Sequence, residues 1–270
     1  MKDREHLKNL LVIKGLAQTP DEAERMVLAA QVKVDGATMT QAGALVAADA
    51  QLEVQDARRY VSRGGFKLEG ALDDFSFDVA GLSCIDVGAS SGGFSDCLLQ
   101  RGALQVTAVD VGYGQFDWKL RKDSRVTLFE RANIAKADPA SLGAPFDLLV
   151  ADLSFTSLAR LAPQFTRLIK NEGDCLALVK PQFELPKDLV FDGVIRNPDL
   201  HVEAIQRVVT AFEIEGLTVL GLSYSPIIGP KGNKEFWIWA AKGGATATIY
   251  AKETQAIEEV VRLAHEQLSD

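Results

Sequence analysis

Between Leu82 and Ala240, short apolar segments alternate with longer segments that have the spacing of amphipathic helices. The apolar segments have the length of strands and lie at 84–87, 106–110, 126–129, 148–151, 175–179, 217–223 and 236–240. This alternation predicts a parallel, doubly wound sheet, because successive parallel strands are joined by a crossover that is usually a helix. The turn GPKGN before the last segment predicts an antiparallel final hairpin. The predicted fold class is therefore α/β with a seven-stranded sheet.

A separate small domain is predicted for residues 1–57. LKNLLVIKGLA has the pattern of a short amphipathic helix, and a second helix follows Thr19, an N-cap residue with Pro20 in the first helical position. VKVDG and AQLEVQ alternate in polarity, as strands do. Two helices and a small sheet in this order resemble the RNA-binding domain of ribosomal protein S-four of the small subunit. We expect an α+β domain at 1–57, a linker at 58–66 and the large domain at 67–270.

The composition argues against several classes of protein. No stretch of about 20 apolar residues is present, so no membrane-spanning helix is expected. The three cysteines are far apart and the three histidines match no metal-ligand spacing, which predicts reduced thiols and no metal site. The segment MKDREHLKNLLVIKG mixes acids with bases and is not predicted to be a secretory signal. These features predict a cytoplasmic protein.

The net charge of −8 does not favour a nucleic-acid partner, but the basic residues are clustered. Residues 58–67 contain no acid, and the basic side chains in this range are predicted to contact RNA: Arg58, Arg59, Arg63 and Lys67. A second basic region comprises Arg121, Lys122, Arg125, Arg131 and Lys136. The charge distribution therefore permits an RNA partner without requiring one.

The segment CIDVGASSGGFSDCLL has the pattern of a strand, a glycine-rich turn and a helix that binds a cofactor. Glycines allow the backbone to approach a ligand closely, and the free N–H groups at the helix start bind its polar groups. Asp86 ends the first strand, and Asp110 ends the next one 24 residues later, where an acid binds ribose hydroxyls. The residues predicted to bind the cofactor are Asp86, Gly88, Ala89, Ser90, Gly92, Gly93, Phe94, Asp110, Val111, Asn133 and Asp152.

The glycine turn alone leaves two cofactors open, a nicotinamide dinucleotide and S-adenosylmethionine. GASSGG resembles the loop of short-chain dehydrogenases, which need a tyrosine followed four residues later by a lysine. None of the tyrosines at 60, 113, 224 and 250 has that lysine. Asp86 stands where methyltransferases place an acid near the amino group of methionine. This favours S-adenosyl-L-methionine in a Rossmann-like methyltransferase sheet.

The segments around three further strand ends indicate the chemistry. VADLSF ends a strand with Asp152, where enzymes that methylate amino nitrogens usually have an Asn/Asp-Pro-Pro-aromatic run. No cysteine is placed to act as a nucleophile, which leaves methylation of oxygen. Lys67, Asp152, Lys180 and Glu235, in this order, resemble the catalytic tetrad of FtsJ-like ribose 2'-O-methyltransferases. A ribose hydroxyl is a weak acid and needs a base, and a second ammonium nearby favours the neutral form of a lysine.

The segments YVSRGGFKL, DVGASSGGF, AVDVGYGQ, VADLSF, LVKPQFE and GPKGNKEFWIW together resemble the TlyA family, often called hemolysin A. The resemblance implies 2'-O-methylation of cytidine in ribosomal RNA, with ribosomal subunits as partner and the small domain helping to bind them. For the mechanism we expect in-line methyl transfer with Lys180 as the general base and Asp152 holding its amine in position. Lys67 is expected to lower the proton affinity of Lys180 and to help orient the ribose, and Glu235 to orient Lys67 or the substrate hydroxyl. Arg58 to Val61 resembles the interdomain tetrapeptide of the family, although Tyr60 stands where tryptophan is typical.

Three other functions stay open from the sequence. A non-catalytic factor for RNA binding or assembly would keep the fold without needing the tetrad. A pore-forming hemolysin would need a route out of the cell and a membrane-inserting surface, which the sequence does not indicate. A dehydrogenase would lack its catalytic tyrosine.

Overall fold

The computed structural model describes residues 4–17, 19–28, 30–54, 59–243 and 254–268. Contacts divide the chain into two units, Met1–Arg59 and Tyr60–Asp270. The sequence predicts a linker at 58–66, whereas Tyr60 is buried in the second unit, where Phe66 contacts its ring edge to face at 5.1 Å between centroids. The residues from Tyr60 onward are thus packed as part of the second unit.

The first unit is a small α+β structure. Its elements are β1 (Arg4–His6), α1 (Leu7–Ile13), α2 (Pro20–Leu28), β2 (Val32–Val34), β3 (Ala37–Met39), β4 (Leu45–Ala47) and β5 (Leu52–Val54). β2 pairs antiparallel with β3 and β5, and β1 pairs antiparallel with β4. The Thr19 hydroxyl accepts a hydrogen bond from the Glu22 N–H at 3.1 Å, as expected of an N-cap. Both predicted helices and both predicted strands are present, and Leu7, Leu11 and Val27 are among the buried side chains between them.

The second unit contains the predicted alternation of strands and helices. Its elements are α3 (Gly64–Asp74), β6 (Ser83–Val87), α4 (Gly93–Gln100), β7 (Gln105–Val109), α5 (Trp118–Arg121), β8 (Val126–Phe129), β9 (Phe146–Ala151), α6 (Leu158–Leu168), β10 (Ile169–Val179), α7 (Pro181–Glu184), α8 (Pro198–Ile214), β11 (Leu217–Tyr224), β12 (Phe236–Lys242) and α9 (Thr254–Gln267).

These strands form a seven-stranded sheet in the order β11-β12-β10-β9-β6-β7-β8. The five strands β10, β9, β6, β7 and β8 are parallel to one another, and β12 is antiparallel to both β10 and β11. The predicted α/β class, the seven strands and the antiparallel final hairpin are confirmed. Because the parallel strands share one direction, the loops that follow them lie at one edge of the sheet, where α/β proteins bind ligands.

Helices cover both faces of this sheet. α6, α8 and α9 bury one face, with Phe165, Phe212 and Val261 in the core. α3 and α4 bury the other face, with Leu68 and Leu98 in the core. Two apolar layers therefore hold the strands in register and fix the positions of the loops at their ends. In the described ranges, no helix has both the length and the apolar character that a membrane crossing requires.

Candidate active site

The four residues predicted as a catalytic tetrad lie together and form one connected set of ion pairs. Lys67 Nζ lies 2.6 Å from Glu235 Oε2 and 3.9 Å from Asp152 Oδ2. Asp152 also forms an ion pair with Lys180. We call Lys67, Asp152, Lys180 and Glu235 the ion-pair cluster. It alternates in charge from Glu235 through Lys67 and Asp152 to Lys180.

The topology of the sheet explains why these distant residues meet. Asp152 and Lys180 directly follow the adjacent parallel strands β9 and β10. Glu235 directly precedes β12, and because β12 is antiparallel to β10 its start lies at the same edge as the end of β10. Lys67 lies on α3, whose buried face packs on the sheet beside α4. Three strand ends and one helix therefore supply the cluster.

The cluster is largely removed from water, so its charges act strongly on one another. Lys67, Lys180 and Glu235 are buried, and Asp152 is partly exposed. Burial raises the pKa of Glu235, while the ammonium groups of Lys67 and Lys180 oppose that rise. Within the described residues, Glu235 Oε1 has no hydrogen-bond partner. A β-carbon at Gly229 would lie 2.3 Å from this oxygen, so the carboxylate fits only because residue 229 is glycine.

Two contacts that the sequence analysis did not identify join the loops bearing Asp152 and Lys180. Lys180 Nζ donates a hydrogen bond to Ser154 Oγ at 3.4 Å. The Glu184 carboxylate on α7 accepts hydrogen bonds from Ser157 Oγ at 2.6 Å and from the Leu158 N–H at 2.7 Å. Ser154 and Glu184 lie within the segments VADLSF and LVKPQFE, but only the structure shows which side chains they contact.

An exposed aromatic ring lies beside the cluster. Phe155 is 89% exposed and has a φ of +63°, a conformation that costs energy for a residue other than glycine. Its ring centroid is 5.1 Å from that of Phe183. The two rings line one end of an open groove of about 1330 Å³, which continues along α6 and α8. Phe155 directly follows Ser154 and Phe183 lies three residues after Lys180, so the two rings are close in the chain to the loops that carry the cluster.

Asp86 is a buried acceptor at the start of the glycine loop. Its Oδ2 accepts hydrogen bonds from Ser95 N at 2.9 Å and Ser95 Oγ at 2.7 Å. Burial raises the pKa of Asp86 to about 7, against the effect of the Ser95 hydrogen bonds. Its Oδ1 is buried without a hydrogen-bond partner among the described residues. A buried acceptor of this kind is costly unless a donor satisfies it, so it fits an amino group such as that of methionine.

Close backbone packing places the glycine loop against Asp152. Gly88 has a φ of +88°, and a β-carbon there would lie 2.4 Å from the Asp152 carbonyl oxygen. Glycine is required at this position for both reasons. The Asp110 carboxylate accepts hydrogen bonds from the Ser90 N–H at 2.8 Å and from the Gly112 N–H at 2.6 Å. Asp110 thus joins the glycine loop to the loop after β7, and further lone pairs of its oxygens can accept ribose hydroxyls.

Comparison with known proteins identifies the family. A model described as FtsJ-like methyltransferase matches residues 60–242. The chain is 40% identical to the "16S/23S rRNA (cytidine-2'-O)-methyltransferase TlyA" of Mycobacterium tuberculosis, over 94% of each chain. The chain is an FtsJ-like methyltransferase of the TlyA family. The predicted family, enzyme class and methyl donor, S-adenosylmethionine, are confirmed.

Two further relatives of this FtsJ-like methyltransferase match along nearly its whole length. It is 41% identical to the "Putative rRNA methyltransferase YqxC" of Bacillus subtilis, over 99% of this chain and 96% of that protein. A solved structure described as "Putative hemolysin from Streptococcus thermophilus" has 35% identity and a TM-score of 0.75, and covers 99% of this chain and 98% of its own. The match therefore includes both units of the chain.

The other residues predicted for the cofactor differ in their surroundings in this methyltransferase. Ala89, Gly92 and Gly93 are buried in the loop, and Ser90 is exposed. Phe94 lies in the core, with its ring 5.5 Å from that of Trp237. Val111 and Asn133 are exposed after β7 and β8, at the same sheet edge as the glycine loop.

The residues predicted to contact RNA differ in how exposed their side chains are. Arg59 and Arg63 are exposed, whereas Lys67 is buried in the ion-pair cluster. Arg58 lies outside the described residues. In the described part of the chain, no group of three or more His, Cys, Asp and Glu side chains is arranged to hold a metal ion.

Proposed function

We propose that this methyltransferase methylates the 2'-hydroxyl of a cytidine ribose in ribosomal RNA, with Lys180 as the general base. The observation that carries the proposal is the ion-pair cluster, in which two buried lysines and two carboxylates lie beside the glycine loop at one sheet edge. The M. tuberculosis relative is named as a 16S/23S rRNA (cytidine-2'-O)-methyltransferase, which supports the ribose 2'-oxygen as the methylated atom, cytidine as the nucleotide and ribosomal RNA as the substrate.

S-adenosylmethionine supplies an electrophilic methyl group on a positively charged sulfur. The residues around the cluster bind the ribose and manage the proton. Lys180 Nζ, as the neutral amine, accepts the proton of the 2'-hydroxyl while the oxygen attacks in line with the methyl–sulfur bond. The neutral amine keeps two N–H donors, which can hydrogen-bond to Asp152 and Ser154 and so fix its position. Lys67, held by Glu235, is placed to orient the hydroxyl.

The groove that begins at Phe155 and Phe183 suits the base of the nucleotide to be methylated. Lys180 is buried, so the ribose must be brought to it, and a nucleotide turned out of the stack leaves its base in need of an apolar surface. Phe155 directly follows Ser154 and Phe183 lies three residues after Lys180, so these two rings can supply that surface. General base catalysis of this kind contributes roughly two to four orders of magnitude in rate.

Tritium transfer from labelled S-adenosylmethionine to ribosomal subunits of cells lacking this enzyme tests the proposal. Lys180→Ala should lose nearly all transfer and keep its cofactor affinity. Lys180→Arg should be equally inactive, because a guanidinium group keeps its proton at any working pH. Lys170→Ala, an exposed lysine that pairs with Asp147, is the matched control and should remain active. An active Lys180→Arg enzyme would reduce Lys180 to a positioning cation, and methyl on a base rather than on ribose would refute the proposed reaction.

The small N-terminal domain is proposed to bind ribosomal subunits in the cytoplasm. The proposal keeps the predicted domain at 1–57, a connection at 58–66 that packs with the second unit from Tyr60 onward, and a methyltransferase domain at 67–270, with the exposed Arg59 and Arg63 as RNA contacts. A chain lacking residues 1–55 should bind S-adenosylmethionine normally and methylate subunits far more slowly. Affinity of the full chain for RNA should fall steeply with salt. Full-rate methylation without residues 1–55 would rule out the RNA-binding role.

A further inference from the structure

The loops that follow β7 and β8 form a surface with an unusual combination of charge and aromatic rings. Residues 111–136 contain six basic and three acidic side chains, in a chain whose net charge is −8. The exposed residues of interest, which we call the basic aromatic surface, are Tyr113, Trp118, Lys119, Lys122, Arg131 and Lys136. The ion-pair cluster and the glycine loop make no use of them.

Each of the three acids in this region is already engaged. The Asp117 carboxylate caps α5 by accepting a hydrogen bond from the Lys119 N–H at 2.8 Å. Asp123 pairs with Arg125 at 2.7 Å. Glu130 pairs with Arg121 and also accepts a hydrogen bond from the Gly114 N–H at 2.6 Å.

The basic residues of the surface are therefore left available to an anion. Across the described residues, Lys119, Lys122, Arg131 and Lys136 form no ion pair. Glu130 also acts electrostatically on Arg131, but six basic against three acidic side chains in residues 111–136 still create a local positive potential despite the acidic chain.

Two aromatic rings are exposed between these cations. Tyr113 and Trp118 are each 66% exposed. The Arg131 guanidinium lies 4.2 Å from the centroid of the Tyr113 ring, and Lys122 Nζ lies 4.5 Å from that of Trp118. A cation over one face leaves the other face of each ring open, and a guanidinium lying on a ring keeps its N–H groups available to oxygen ligands.

The surface is held in shape before any partner arrives. Glu130 connects the Tyr113–Gly114 turn to Arg121 at the end of α5, the helix that begins with Trp118. Asp110 fixes the beginning of the same loop through the Gly112 N–H. Ordering the two rings in advance reduces the entropy that binding would otherwise cost.

The position of the surface shows which part of a substrate it would meet. In the sheet, β7 is three strand spacings and β8 four strand spacings from β10, so the loops after them lie roughly 14–20 Å from the end of β10, where Lys180 is located. This distance is too large for the nucleotide being methylated. It corresponds to nucleotides a short way along the same RNA.

We infer that the basic aromatic surface binds a single-stranded segment of the RNA substrate, with bases stacked on Tyr113 and Trp118 and phosphates at the neighbouring lysines and Arg131. The inference rests on the proposed function for the identity of the RNA. Single-stranded RNA fits because only unpaired bases expose their faces to aromatic side chains, while the lysines and arginine neutralise its backbone. It is a second point of contact on the methyltransferase unit, separate from the site of methyl transfer.

The test uses the full-length chain and equilibrium binding, so it does not depend on methyl transfer. The probes are a short fluorescein-labelled single-stranded RNA and the same RNA annealed to its complement. Tyr113→Ala with Trp118→Ala should weaken binding of the single strand by at least about tenfold, because stacking on each ring contributes measurably. Tyr113→Phe with Trp118→Phe retains both rings and should bind nearly normally. Lys119→Gln with Lys122→Gln should reduce the salt dependence by about one to two units of slope.

Two controls separate this effect from damage to the fold or to the cofactor site. The melting temperature and the S-adenosylmethionine affinity of the double alanine variant should match those of the unchanged protein. Leu104→Ala, a 62% exposed apolar residue just before β7 at the opposite sheet edge, should leave RNA binding unchanged. With ribosomal subunits as substrate, the double variant should raise KM about tenfold and keep kcat.

Three results would overturn the inference. The first is that the double alanine variant binds the single-stranded RNA as tightly as the unsubstituted protein does. The second is that this variant loses affinity for the duplex to the same extent as for the single strand. The third is that it loses affinity for phosphatidylserine vesicles while its RNA binding is unchanged. Failure of the proposed function looks different, because the unchanged protein would then transfer no methyl group to ribosomal RNA while the binding comparison could still be made.

Discussion

Replacing Glu235 by glutamine should destabilise the protein, because it leaves the buried Lys67 ammonium without its nearer partner. Lys67 Nζ is 2.6 Å from Glu235 Oε2 and 3.9 Å from Asp152 Oδ2. Removing one partner of a buried ion pair typically costs about 3–5 kcal/mol. Asp152 still faces Lys67 in the variant, so we expect a loss near the lower end, about 3 kcal/mol. For a unit of this size, that corresponds to a fall in Tm of roughly 6–12 °C.

The matched double variant, Lys67→Met with Glu235→Leu, should recover most of that loss. Both charges are then absent, and apolar side chains of similar volume fill the same buried space. The double variant should nevertheless be inactive, because Lys67 and Glu235 belong to the ion-pair cluster. The double variant would thus recover stability relative to Glu235→Gln without recovering activity.

Differential scanning calorimetry of the full chain measures the first effect, and tritium transfer to ribosomal subunits measures the second. Calorimetry is preferred to one unfolding midpoint, because the chain has two units that need not unfold together. A Glu235→Gln protein that melts within about 2 °C of the unchanged protein would refute the energetic argument. So would a double variant that is no more stable than the single one.

Three other substitutions test Gly88 of the glycine loop, Asp110, and His201, a buried residue of α8 outside the candidate site. Gly88→Ala should lower S-adenosylmethionine affinity at least about tenfold by calorimetry, because its β-carbon would meet the Asp152 carbonyl, whereas Gly143→Ala, with φ +89° and open space, should not. Asp110→Ala should weaken cofactor binding by a few kcal/mol at most, because it removes on the order of two hydrogen bonds to a charged group. Unchanged affinity would exclude Asp110 from the cofactor site. Burial lowers the pKa of His201 to about 4. As pH falls below 6.5, His201 therefore binds a proton in the unfolded chain before it does so in the folded one. The free energy of unfolding should drop by about 3 kcal/mol by pH 4 for this reason. Calorimetry at several pH values should show a smaller drop for His201→Gln, and an equal drop would exclude His201 as the cause.

Much of the large unit was predictable because its signals are local. Parallel strands tend to be short, mostly apolar runs, and the predicted run 126–129 coincides with β8 at the edge of the sheet. The predicted runs 84–87 and 148–151 fall within β6 and β9, with differences of one or two residues at their starts. The ion-pair cluster was predictable from the motifs at the ends of these strands, since topology brings such ends to one edge.

Other features depend on contacts between residues far apart in the chain, and the sequence carries little trace of them. β1 (REH), β3 (ATM) and β4 (LVA) lack the apolar-polar-apolar alternation that indicated β2 (VKV) and β5 (LEV). Glu184 caps the helix that begins at Leu158, across a separation of 26 residues. The residues at 60–66 have the composition of a polar linker. In the structure, however, the Val61 N–H donates a hydrogen bond to the Asp96 carboxylate on α4 at 2.8 Å, which anchors this segment to the second unit. Only the folded chain shows these pairings.

The energetics of the ion-pair cluster favour a catalytic explanation over a structural one. Burial raises the pKa of Glu235 and the ammonium groups of Lys67 and Lys180 oppose that rise, so removing these charges from water has a desolvation cost that the ion pairs must offset. Buried apolar side chains would avoid the penalty altogether. A chain that keeps Lys67, Asp152 and Glu235 at such a cost has a use for fixed charges beside Lys180, and the transfer of a proton from a ribose hydroxyl is such a use.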